Sequence, residues 1–226
     1  MTIPTGVAMA DTRVWLDDPN PAKHDRLAAV VAMADTRVWL DDPCRWVDDT
    51  RRWLERAVIG LNLCPFAKAV HAKGQIHYAV SRSTQAPELL DDLKKELNSL
   101  LALDTSTRDT TLLIVPEFLH KFLDFNDFLA QADAVLAELG LEGIIQIASF
   151  HPQFQFAGTQ ADDITNFTNR APYPTLHLLR EDSIDRAVAA FPQAEDIFEK
   201  NMQTLTQLGP EGWAALDVGP HGKIGP

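Results

Sequence analysis

Leu89, Leu90, Leu93, Leu97, Leu100 and Leu101 recur at three- and four-residue intervals, so Ala86 to Leu103 is predicted to form an amphipathic helix. The period changes on either side of it. Gln75 to Val80 is a short β-prone run, and Thr110 to Val115 is a continuous apolar run of the kind that forms a strand buried on both faces, closed by Pro116. A second helical pattern from about Leu119 to Leu139 stops at Gly140, and Gly143 to Ser149 then reads as another buried strand. Thr175 to Leu179 makes a fourth strand, followed by helices near Ser183 to Phe191 and Ala194 to Leu208. Ahead of all of these, Asp48 or Asp49 is placed to cap a helix running to about Leu63, with Trp53, Ala57 and Gly60 to Leu61 on one stripe; the seven-residue spacing of Trp46 and Trp53 would also let those two share a helix face.

Strands that alternate with helices imply right-handed crossovers and an α/β fold. The expectation is a single three-layer or two-layer domain with a mostly parallel sheet of about four strands flanked by helices, the direction of the fourth strand being open. The domain spans residues 44–208. Before it, the phrase VAMADTRVWLDDP occurs twice, at Val7 to Pro19 and Val31 to Pro43. Two identical copies fall short of the three or so repeats a solenoid needs, so residues 1–43 are expected to be a duplicated extension outside the core. Residues 209–226 are rich in Gly and Pro and read as a flexible tail.

Charge narrows the partners. Twenty basic against 32 acidic residues give a formal net charge of −12 with no basic run to offset it, which argues against nucleic acid and anionic membranes. The apolar runs are far shorter than the roughly 20 residues of a membrane-spanning helix. With two cysteines there is no disulfide framework, and a cytoplasmic location is the expectation. A small-molecule ligand remains as the partner class, and no oligomeric state follows from the pattern.

In an open sheet with parallel strands, ligands bind outside the carboxyl ends of the strands. Arg82 follows the first strand, Glu117 the second and His151 the third, so the topology predicts that they face one another. The stretch from His151 to Pro174 is too long for a plain connection and too aromatic for disorder. Phe154, Phe156, Phe167 and Tyr173 anchor it, and it reads as an ordered flap carrying Asp162, Asp163, Asn166, Asn169 and Arg170. His151 is the candidate general acid or base. Arg170 needs either Asp163 or Glu117 as its partner, or an anionic ligand. His177, in an apolar strand, is either a hydrogen-bonded core residue or a ligand contact, and His77 poses the same choice. Cys64 is a packing thiol or a reserve nucleophile, placed by Pro65 at the unfavourable end of a helix dipole. No metal-ligand spacing, phosphate loop or G-x-S-x-G motif is present; His151, His177, Glu117 and Asp163 could share a metal only through tertiary structure, and no cofactor is implied.

The phrases TRRWLERAVIGLNLCPFAKAV, ASFHPQFQFAG and NFTNRAPYPTLHLLRE resemble the bacterial family known as domain of unknown function 1415, over about Val47 to Leu208. The resemblance implies that Cys64-Pro65-Phe66, His151-Pro152, Asn169-Arg170 and Pro172-Tyr173-Pro174 with His177 belong to the family pattern, and it supplies no catalytic residue. The functional expectation is an enzyme of a small anionic metabolite: Arg170 and Arg82 bind the anion, His151 moves a proton, Asn169 and Tyr173 position the substrate, and Glu117 or Asp163 orients His151 or holds a metal. The alternative is a noncatalytic ligand-binding or protein-interaction module using the same pocket.

Overall fold

The computed structural model describes residues 43–191 and 196–220. The duplicated extension, Trp39 within it, and the last six residues therefore lie outside the described part. Helix α1 (Pro43–Trp53) runs directly into a π-helical segment (Leu54–Ile59), and a short helix α2 (Ala67–Ala72) follows. Then come β1 (Ile76–Val80), α3 (Ala86–Ala102), β2 (Thr110–Ile114), α4 (Phe122–Glu138) and β3 (Ile145–Phe150). A 3-10 segment (Ile164–Asn169) leads to β4 (Thr175–Arg180), and α5 (Glu181–Ala189) and α6 (Ile197–Ala215) complete the order.

The strand order is β1-β2-β4-β3, with β1 parallel to β2 and β4 antiparallel to both of its neighbours. The sheet is therefore mixed, which corrects the expectation of a mostly parallel one. The reason lies in the connection after β3: a parallel strand needs a crossover to the far end of the sheet, whereas residues 151–174 stay at the edge where β3 stops. Thr175 accordingly pairs with both Ile114 and Phe150, the last residues of β2 and β3.

Side-chain alternation sorts each strand between two apolar layers. Leu113, Leu176 and Leu178 join Leu89, Leu93 and Leu97 of α3 and Phe125, Phe128 and Ala132 of α4 in one buried cluster. Ile76, Tyr78 and Phe150 pack with Trp53, Leu54, Ala57 and Val58 from α1 and its π-helical continuation. Helices thus flank the sheet on both faces. Leu89, Leu93, Leu97 and Leu100 of the α3 stripe are buried as their spacing predicts, each contributing about 2 kcal/mol of transfer free energy, while Leu90 and Leu101 are partly buried.

Two boundaries depart from the sequence pattern. Asp48 and Asp49 do not cap α1, which starts at Pro43; Asp49 is instead inside the helix and only 1% exposed. At the other end, the helix expected to stop at Leu208 continues to Ala215 across a kink at Gly209, whose φ of 66° is a conformation glycine adopts without strain. The supposed tail packs as far as Pro220: Trp213 lies against Phe167 with ring centroids 4.9 Å apart, and Val218 is buried.

Candidate functional site

Because β4 is antiparallel to β2 and β3, the carboxyl ends of β1, β2 and β3 and the entry to β4 share one edge of the sheet. A cavity of about 460 Å³ opens there, within the size range of small-molecule sites. Its floor comes from residues just past the strand ends, Pro116 and Pro152, and from the returning segment 170–174. Trp53, Phe167 and Trp213 form apolar walls, and Val218, Gly219 and Pro220 close one side. Its charged or titratable lining consists of Arg170, His120 and Tyr173.

Among the described residues Arg170 is held as a charged group without an acidic partner. Its Nε donates to the Phe154 carbonyl at 3.1 Å, Nη2 donates to the Ala161 carbonyl, and the guanidinium carbon sits 4.3 Å from the centre of the Phe167 ring. Neither carboxylate that could have neutralised it does so. Glu117 accepts from Nε and Nη2 of Arg82 at 3.1 and 2.9 Å, while Asp163 caps the 3-10 segment, accepting from the backbone and hydroxyl of Thr165. Those two bonds hold the Asp163 carboxyl below the usual carboxylate range. Burial lowers the Arg170 pKa from its ordinary value, with no carboxylate among the described residues to offset it.

The expected trio at the strand ends is thus divided. Arg82 and Glu117 meet, as the parallel β1 and β2 predict, but His151 is separated from them by the inserted β4. His151 is fully buried, tilted against the rings of Phe122 and Phe125 at 5.5 and 5.2 Å. Nε2–H donates to the Leu119 carbonyl at 3.0 Å and Nδ1 accepts from the Gln153 N–H at 2.9 Å. Those partners fix the neutral tautomer with its proton on Nε2 and occupy both nitrogens. Burial also pushes the imidazole below its usual value, aided by the positive fields of His120 and Arg170.

What His151 grips is informative. Leu119 is a buried leucine with φ of 58°, a left-handed conformation that costs on the order of 1–2 kcal/mol for a residue with a Cβ. The bond to its carbonyl stabilises that turn, and the next residue, His120, is exposed and lines the cavity. Strain held in place by buried packing beside a cavity is a recurrent property of functional sites.

The other candidates divide between cavity and scaffold. Tyr173 lines the cavity, and its hydroxyl donates to Asp49 Oδ2 at 2.7 Å; burial and that carboxylate raise its pKa well above the ordinary tyrosine value. Asp49 also accepts from Arg52 at 3.0 Å, and Arg52 in turn donates to the carbonyls of Asp217 and Gly219 at 2.7 and 2.8 Å. With Arg56 bound to the Leu216 carbonyl, this network fixes the chain end that closes the cavity. Asn169 ties the 3-10 segment to β3, donating from Nδ2 to the Ser149 carbonyl while its own carbonyl receives the His151 N–H. Buried Asn166 orders the flap by bonding Phe156, Thr159 and Gln160, and Gly158 has the positive φ its place in the flap allows.

His177 sits in the middle of β4 between Leu112 and Ala148, outside the cavity lining, with desolvation pushing its pKa down to about 4. His77 lies 3.6 Å from Glu96 on the edge strand. Cys64 packs in the Trp53 cluster, away from the cavity lining; burial raises its thiol pKa, opposed by the N–H groups of Phe66 and Ala67. Among the described residues no group of three His, Cys, Asp or Glu side chains is placed to hold a metal.

The two depressed histidines set an acid limit to stability. Below the ordinary imidazole pKa of about 6.5 the unfolded chain binds protons that His151 and His177 refuse in the fold, so stability is full above that pH and falls as pH drops toward about 4. Urea midpoints should decline from pH 7 to pH 5, and His177→Phe should flatten part of the decline. A midpoint constant over that window would contradict the neutral, buried assignment.

His120 and Trp213 are lining residues that the sequence pattern did not single out. His120 lies only four residues past Pro116, close enough to have been included among the residues following β2; Trp213 is masked by the Gly and Pro around it. No curated protein and no solved structure matches the chain. A family model does, over residues 45–215, a span that contains all the described strands and all of the cavity's lining residues except Val218, Gly219 and Pro220. The chain belongs to that family, described as Protein of unknown function (DUF1415).

Proposed function

We propose that the chain binds a small anionic metabolite in the strand-edge cavity, with Arg170 as the anion contact and His120 as the group that transfers a proton in a reaction on it. The observation that carries this reading is the guanidinium of Arg170, which lines a cavity of about 460 Å³ and has no carboxylate within ion-pair distance among the described residues. A cation kept in a partly desolvated site without a counter-charge is suited to a carboxylate or phosphate, to which charge-assisted bonds are short and strong.

The acid–base role moves from His151 to His120 because proton transfer needs a ring nitrogen that substrate can reach. Both nitrogens of His151 serve the backbone; His120 is exposed at the cavity. One observation favours the noncatalytic binding module instead: no carboxylate hydrogen-bonds His120 among the described residues, so no orienting dyad is formed.

A thermal-shift panel of small carboxylates and phosphates tests the reading. An anion present at 100 times its Kd stabilises by about 2.7 kcal/mol and raises Tm by roughly 5–10 °C in a chain of this size. Arg170→Gln should abolish the rise. His120→Gln should keep most of the rise and lose conversion of the anion, followed by mass spectrometry. Equal stabilisation of wild type and Arg170→Gln contradicts the anion site, and binding without conversion by the wild type selects the binding module.

A further inference from the structure

The walls of the cavity specify the ligand further than its charge does. This inference rests on the reading of Arg170 as an anion contact and concerns the class of the anion. Arg170 is the only Lys or Arg among the described lining residues, so a polyphosphate would find a single strong cation there, whereas a monoanion is matched. The guanidinium is also already oriented. One face rests on Phe167, and Nε and Nη2 are bonded to carbonyls, which leaves Nη1 without a protein partner among the described residues.

The rest of the lining is flat and rigid. Trp213 is partly exposed at the cavity, set edge-on to Phe167 at 68°, with Trp53 and the Tyr173 ring also contributing. Proline rings at 116, 152, 172, 174 and 220 cover much of what remains. Aromatic and proline surfaces lose little conformational freedom when a ligand packs on them, and planar rings gain most from such contact. Among the described lining residues, polar side chains that would recognise hydroxyl-rich ligands are few.

We propose that the ligand is an aromatic carboxylate: its carboxylate meets Nη1 of Arg170, and its ring packs against Trp213 and the neighbouring prolines. The site then discriminates by planarity as well as by charge. A saturated acid of similar size loses the ring contact, and an aromatic amide loses the charge-assisted bonds.

Isothermal titration calorimetry of the full chain tests this with three probes of similar shape: 2-naphthoate, decahydronaphthalene-2-carboxylate and 2-naphthamide. The expected result is a Kd for 2-naphthoate at least tenfold below those of the other two, with Trp213→Leu weakening 2-naphthoate about tenfold and the saturated acid little. The wild-type comparison stands whether or not Trp213→Leu folds. If the saturated acid binds as tightly as 2-naphthoate and Arg170→Gln weakens both, the aromatic specificity is overturned while the anion site survives. If neither acid binds in an Arg170-dependent way, both proposals fall.

Discussion

His151→Ala is expected to lower the stability of the chain by about 3–4 kcal/mol, through loss of packing and of two backbone anchors, before any ligand is involved. The imidazole is fully buried between Phe122 and Phe125, so truncation leaves a cavity that those rings cannot readily fill. The same change strips the Leu119 carbonyl and the Gln153 N–H of their partners, and an unsatisfied buried backbone group costs about 1–3 kcal/mol. Because Leu119 is in a strained conformation that His151 helps to hold, the turn presenting His120 should loosen as well. Urea unfolding of the purified variant measures the loss. Wild-type stability in His151→Ala would show that the histidine is not the structural anchor described.

Asp49→Ala is expected to cost about 3 kcal/mol, the scale for removing one partner of a buried, hydrogen-bonded charge network. In a chain of this size that corresponds to a Tm roughly 10 °C lower. Asp49 is 1% exposed and accepts from Tyr173 at 2.7 Å and from Arg52 at 3.0 Å. Without it, the Tyr173 hydroxyl loses its acceptor in a buried position, and Arg52 loses a carboxylate that helps to orient its bonds to the carbonyls of Asp217 and Gly219. The effect should reach the cavity, since Tyr173 forms part of its wall and residues 218–220 close its side. Asp49→Asn, which still offers an acceptor to the tyrosine, should lose less. Equal melting temperatures for wild type and Asp49→Ala would remove the network from the account of how the cavity is held.

The sequence made the elements legible where period and punctuation agree. The leucine stripe of α3, the apolar run of β2 closed by Pro116 and the Gly140 stop of α4 each fall within a few residues of where the pattern puts them, since each depends on local chemistry. The direction of β4 was not legible, because Thr175 to Arg180 reads the same either way and only the path of residues 151–174 decides it. Asp49 looked like a helix cap because aspartate favours that position, and its real partner, Tyr173, is 124 residues away. The packed end at Trp213 and Val218 was hidden for a related reason: Gly209 and Pro210 resemble the start of a tail, but here they kink a helix back over the sheet edge.

The site was legible as a location and less so as a set of roles. That strand ends gather at one edge follows from topology, and Arg170 and Tyr173 do line a cavity there. The work of His151 depended on a carbonyl 32 residues earlier, and the lack of an acid beside Arg170 among the described residues depended on Glu117 choosing Arg82 and Asp163 choosing Thr165. Such choices are made between segments distant in sequence, where periodicity carries no information.

The central claim is that Arg170 is the anion contact of the strand-edge cavity, and a crystal structure of the chain with the most stabilising anion of the thermal-shift panel tests it most directly. The account predicts an anionic oxygen within about 3 Å of Arg170 Nη1, with the body of the ligand against Trp213. An anion bound elsewhere, or a protein carboxylate occupying Nη1 in the complex, would contradict it.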